Sequence, residues 1–165
     1  MKKVLICVCL VIPSISMGKS IPFDDCFSEA AKHFAVNKAL LIAIAKTESG
    51  FNPQVIGPAN KDGSFDIGMM QINSRWLPTL KGYGIGYSDL RSACTNIYVG
   101  AWIMANNISR HGATWKAVGA YNAATTYKRE LYVSKVRRNL KEFQPTKIDE
   151  PSIKKLPHEI RVASN

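Results

Sequence analysis

Apolar positions along the chain recur first at helical spacing, then lose it, then regain it. Over Asp24–His33 and one residue beyond, Phe27, Ala30, Ala31 and Phe34 share one side, which predicts a helix. Asn37 is an N-cap for a second helix running to Ser49, with Gly50 just past its end. Its stripe is Leu40, Leu41, Ile44 and Ala45, with Lys46 on the polar side. The last place on that stripe belongs to a carboxylate, Glu48.

The next stretch, "NPQVIGPANKDGSFDIGMMQIN", has no helical period and is rich in Gly, Pro, Asn and Asp. Asp62-Gly63 signals a turn, and short extended pieces on either side predict a small hairpin lobe. Helical spacing returns from Ser88. Cys94–Arg110 carries Ile97, Ala101, Ala105 and Ile108 on one face, and Gly112 stops it. Thr114 is placed to cap a helix through Tyr121. Thr125–Phe143 repeats Leu131, Val136 and Leu140 between Lys and Arg residues. The predicted class is α+β, mostly α-helical.

The two ends differ from this middle. Lys2 and Lys3 precede an apolar run, Val4–Ile15, and Ser16 and Gly18 are small residues before a cut after Gly18. Residues 1–18 therefore read as a secretory signal, and the chain is expected to be periplasmic. The run is too short for a permanent membrane anchor, which needs about 20 residues. Past Phe143, Pro145, Pro151 and Pro157 punctuate a stretch with few apolar groups, so 144–165 reads as a flexible tail and 19–143 as the domain.

A 46% hydrophobic and 21% charged composition fits one globular domain with a core. The formal charge of +10, or +8 without Lys2 and Lys3, favours acidic partners. An exported chain makes nucleic acid an improbable one, and the basic stretch "KVRRNLK" is read as a solvated helix face. The cut removes Cys7 and Cys9, and in oxidising surroundings Cys26 and Cys94 are expected to pair. His33, His111 and His158 are scattered, so no zinc spacing exists. Asn60, Asp62, Ser64 and Asp66 alternate like a calcium loop. The sixth place is not Gly, however, and the twelfth is Gln71 rather than Glu, so neither metal nor cofactor is expected.

Glu48 admits two readings. On an apolar face it is desolvated, and the negative end of its helix favours the neutral form too. A carboxyl kept protonated near neutral pH is what a general acid needs. A small rotation of the helix would instead leave it in water at the rim, and pattern alone favours that.

Three short motifs, in order, tip the balance. "ESGFNP" at 48–53, "GMMQIN" at 68–73 and "AYNAA" at 120–124 resemble those of lytic transglycosylases of the soluble-lytic-transglycosylase type, within the lysozyme-like superfamily. Met69 stands where Leu is usual, and Ala124 where Gly often follows. The opening "CFSEAAKHFAVNKALLIAIAKTESGFNP", the centre "NKDGSFDIGMMQIN" and the Cys26/Cys94 pair resemble the small IagB/IpgF-type subgroup that accompanies secretion systems. The resemblance implies a lysozyme-like fold, with a helical lobe and a hairpin lobe around a substrate cleft. It implies that Glu48 is the catalytic acid, and that Ser49, Gly68, Met70, Gln71, Tyr121 and Asn122 bind substrate.

A further resemblance, of "NKDGSFDIGMMQINSRW" to the hairpin of c-type lysozymes, puts Asp66 in the place of a second catalytic carboxylate. Its plainer role is a turn residue bonding its own hairpin. The Met69, Met70 pair and Trp102 read more safely as packing residues, although the resemblance puts Met70 in the cleft lining. Trp76 and Trp115 read first as packing and second as walls for sugar rings. The implied activity is cleavage of the MurNAc–GlcNAc β-1,4 bond of peptidoglycan strands with 1,6-anhydroMurNAc formation, for local wall opening by a type III or related secretion apparatus. Alternatives are a lysozyme-type hydrolase using Glu48 and Asp66, and a noncatalytic wall-binding assembly factor.

Overall fold

The computed structural model describes residues 20–122 and 125–143. The expected signal, 1–18, and the expected tail, 144–165, lie outside them.

Helix α1, Asp24–Phe34, buries Phe27, Ala30, Ala31 and Phe34, as its period predicts. Asp24 and Asp25 in its first turn and Lys32 in its last suit the helix dipole. Helix α2, Lys38–Ser49, starts on Asn37, whose side chain accepts the Leu40 N–H at 3.0 Å. It ends at Gly50, where φ of 63° is a left-handed turn that glycine takes without strain. Its expected stripe is too narrow. Leu40 through Ala45 are all buried, because α2 packs against α1, α4 and α6 at once. The carboxylate of Glu48 thus ends a helix buried all round, not the edge of an amphipathic one.

Strands β1, Asp66–Ile67, and β2, Ile72–Asn73, pair antiparallel with Asp66 opposite Asn73. Ile56 bridges Ile67 on the other side, so the Asp62-Gly63 turn does lie between short extended pieces. The β1–β2 turn, Gly68–Gln71, is a second turn that residue pattern does not announce. Gln71 adopts φ 48° there.

Helix α3, Leu77–Lys81, and two single 3-10 turns lead into α4, Ala93–His111, the long inner helix, which ends at Gly112. Helix α5 is Trp115–Asn122 and α6 is Thr126–Phe143. Thr114 directly precedes α5 and its carbonyl accepts the Ala117 and Val118 N–H groups, while its hydroxyl donates back to the His111 carbonyl at 3.0 Å, tying the end of α4 to the start of α5. On α6 the buried set is Tyr132, Val136 and Leu140, at four-residue spacing. Leu131, expected on that face, is 49% exposed: it sits one residue, a 100° turn, away.

Cys26 and Cys94 form the expected disulfide, joining α1 to α4 across 68 residues of chain. In the chain-entropy account a loop of that length adds about 4 kcal/mol. The double variant Cys26→Ser/Cys94→Ser is expected to lose about that much in urea unfolding, with the fold retained at low denaturant. An unchanged midpoint would show that the bond adds nothing.

Candidate active site

The C-terminal turn of α2 is pinned on three sides, and that fixes Glu48. The Asn139 amide of α6 donates to the Thr47 hydroxyl at 2.8 Å, and that hydroxyl donates to the Ala43 carbonyl. The Ser49 hydroxyl donates to the Met69 carbonyl at 2.7 Å and accepts the Asn52 N–H. Between them, the Tyr132 hydroxyl donates to Glu48 Oε1 at 2.6 Å. The Asn122 side chain makes a further hydrogen bond to the carboxylate.

Glu48 faces a cleft of about 670 Å3. One wall is helical: Glu48, Ile103, Tyr121, Asn122 and Lys128. The other is the hairpin lobe and the turn after β2, including Asn60, Lys61, Asp62, Ser64, Asp66, Gln71, Asn73, Arg75 and Trp76. Asp66 enters from β1. Asn73, its cross-strand partner, donates to Asp66 Oδ1 at 2.8 Å and to the Ser64 hydroxyl at 3.2 Å. Ser64 in turn donates to Asp62 Oδ1 at 2.7 Å, and Asp62 is ion-paired with Arg75. Asp66 is therefore bonded within its own hairpin, to an asparagine on the opposite strand, while it also lines the cleft.

Of the expected residues, Glu48, Asp66, Gln71, Tyr121 and Asn122 line the cleft. Ser49, Gly68 and Met70 do not. The Ser49 hydroxyl is engaged as described. Met70 is fully buried, its side chain against Gly100. It contributes its backbone, accepting from the Tyr121 hydroxyl at 3.1 Å and donating to Asn96 Oδ1 at 2.7 Å. Gly68 is buried with φ 75°, and a Cβ there would run onto the Asn96 amide and to 2.6 Å from the Leu90 carbonyl. These three residues build the wall from behind. The packing role read for Met70 from its residue type holds, whereas the substrate contact that the resemblance implied is not made by its side chain: motif neighbours in sequence turn to opposite sides of a tight turn.

Three residues of the site have no place in the sequence reading. Asn96, fully buried, also donates to the Ile67 and Leu90 carbonyls at 2.9 and 2.7 Å, clamping the β1–β2 turn onto α4. Asn73 steadies Asp66. Tyr132 holds Glu48. Tyr132 left a signal in its four-residue spacing to Val136 and Leu140, and Asn73 in closing the "GMMQIN" motif; Asn96 left none. Of the two tryptophans in question, Trp76 lines the cleft while packing edge-on against Trp102 at 5.1 Å. Trp115 lies under the Arg137 guanidinium, away from the cleft.

The electrostatics favour a protonated acid. Burial raises the Glu48 pKa from 4.5 to about 7, opposed by the Tyr132 hydrogen bond, reinforced by the negative charge of Asp66, and opposed again by Asn122 and Lys135. Burial, followed by the neighbouring Glu48 charge, holds both Tyr132 and Tyr121 well above 10, so both phenols remain donors. Removing the Tyr132 hydroxyl takes away a bond that favours the carboxylate. In Tyr132→Phe the alkaline limb of the pH–rate profile is therefore expected to move upward from about 7. The maximal rate should fall about tenfold as the carboxyl loses its fixed orientation. A limb that stays in place would detach Tyr132 from the acid.

Residues 25–143 match the family described as the transglycosylase SLT domain. The chain belongs to this family. That makes it a lytic transglycosylase acting on peptidoglycan, with a lysozyme-like fold, mostly helical α+β. The chain is 40% identical over 131 residues to invasion protein IagB of Salmonella typhi, covering 76% of this chain and 81% of the relative. It is 36% identical over 109 residues to protein IpgF of Shigella flexneri, covering 64% and 70%. The X polypeptide of Escherichia coli is 33% identical over 173 residues, covering 100% and 99%. As an SLT enzyme, the chain is not the binding-only assembly factor considered from sequence.

Proposed function

We propose that this transglycosylase cuts the MurNAc–GlcNAc β-1,4 bond with Glu48 as acid and then base. The Glu48 carboxyl gives its proton to the glycosidic oxygen. The C1–O bond breaks, and the GlcNAc residue leaves with a free 4-hydroxyl. The carboxylate left on Glu48 then takes the proton of the muramic C6 hydroxyl. That oxygen closes on C1 to form the 1,6-anhydro ring, and Glu48 is returned protonated. No water is consumed. Intramolecular attack gains from proximity, and Glu48 is half-buried at the cleft wall. The observation that carries this reading is the carboxyl with a pKa of about 7, hydrogen-bonded by Tyr132 at the cleft wall. A group titrating there exists in both forms at neutral pH, as a residue that both gives and takes a proton requires.

Asp66 supports the cationic sugar electrostatically, with the substrate acetamido group as a second stabiliser. The same carboxylate is what favours the alternative of hydrolysis through a Glu48/Asp66 pair. Chromatography and mass spectrometry of digested sacculi separate the two. Anhydro ends support the proposal, and reducing MurNAc ends, one water heavier, would replace it with a hydrolase.

The setting is part of the proposal. The charged, apolar and small residues of 1–18 support export to the periplasm. The similarity to a protein named for invasion supports work beside a secretion apparatus. Cell fractionation, and retention in the cytoplasm after deletion of 2–18, test the first.

A further inference from the structure

We propose that the cleft selects glycan strands by the carboxylates of the peptide stems they carry, through Lys61 on one wall and Lys128 on the other. This rests on the cleft around Glu48 being the glycan site. Lys61 stands at the hairpin tip and Lys128 in the first turn of α6, and both line the cleft. Among the described residues neither lysine is in an ion pair, whereas the third cation of the lining, Arg75, is held by Asp62. Lys135 lies two helical turns beyond Lys128 on the same face of α6, close enough for its charge to act on Glu48. Tyr132 lies between them. The strip of α6 that holds the acid thus carries an ammonium group on either side.

The charges of Lys61 and Lys128 have no role in the bond cleavage derived above. A strand of N-acetylglucosamine alone, which is uncharged, gains nothing from them. In peptidoglycan, the lactyl carboxyl of a muramic residue can be amide-linked to a peptide, whose own free carboxylates project from the glycan. A lysine on each wall matches such a group, and its long flexible stem tolerates variation in where the carboxylate falls. Exposed pairs of this kind are individually modest and weakened by salt, so they suit discrimination more than tight binding.

The test compares kcat/KM on soluble glycan strands bearing peptide stems with that on the same strands whose stem carboxylates are capped as methyl amides; amidase stripping is not used, because it frees a lactyl carboxylate on every muramic residue. Wild type is expected to prefer the uncapped strands at low salt and to lose most of that preference at high salt. Lys128→Gln should lower the preference about threefold and Lys61→Gln/Lys128→Gln about tenfold, mostly through KM. Lys116→Gln, on α5 outside the cleft, controls for overall charge and should leave it unchanged. An unchanged preference in the double variant, or an equal fall in Lys116→Gln, overturns the proposal. Glu48→Gln on both substrates reports separately on the glycan site: full activity there would remove the site itself, whatever the lysines do.

Discussion

Replacing Glu48 with Gln is expected to lower glycan cleavage about a thousandfold while leaving the fold intact. Gln has the size of Glu, and its carbonyl can still accept the Tyr132 hydroxyl, so the contact to α6 survives. What is lost is a proton that can be given to the leaving oxygen and taken back. Stability supplies an independent reading. The folded pKa of about 7 lies above the ordinary 4.5, so the folded state binds the proton more tightly. Stability from this group is therefore full below about 4.5 and declines as pH rises towards 7. Glu48→Gln should lack that decline and hold up better than wild type at alkaline pH in urea unfolding. Near-wild-type cleavage on a zymogram would remove Glu48 from its role.

Asp66→Asn should lower the rate about a hundredfold, the scale of losing one group aimed at developing charge. Asparagine keeps an oxygen to accept from Asn73, so the β1–β2 pairing should persist. The pH profile makes this more than a rate measurement. The charge of Asp66 raises the Glu48 pKa, so removing it should move the alkaline limb downward, opposite to Tyr132→Phe. Two variants at one site with shifts of opposite sign are hard to obtain from general damage. Turnover and a pH limb both equal to wild type would make Asp66 a structural hairpin residue.

Features set by near neighbours were legible in the sequence. The Asn37 cap, the Gly50 and Gly112 stops and the buried face of α1 each depend on residues within a few positions. The disulfide followed from the expected compartment. Features set by distant elements were not. The left-handed backbone at Gln71 belongs to a turn that Asn96 clamps from α4. Placing Leu131 on the buried face of α6 turned that helix by one residue and hid Tyr132, whose partner lies 84 residues earlier. For Glu48 the pattern alone favoured exposure at the rim, and only the three motifs reversed that. Desolvation comes from helices packed all around α2, a tertiary property that no single stripe encodes.

In the proposed reaction the muramic C6 oxygen, not water, closes on C1. Digestion of sacculi in heavy-oxygen water, with mass spectrometry of the released ends, reads that step directly. The expected products are 1,6-anhydro ends that carry no heavy oxygen. Reducing ends with one heavy oxygen at C1 would contradict it.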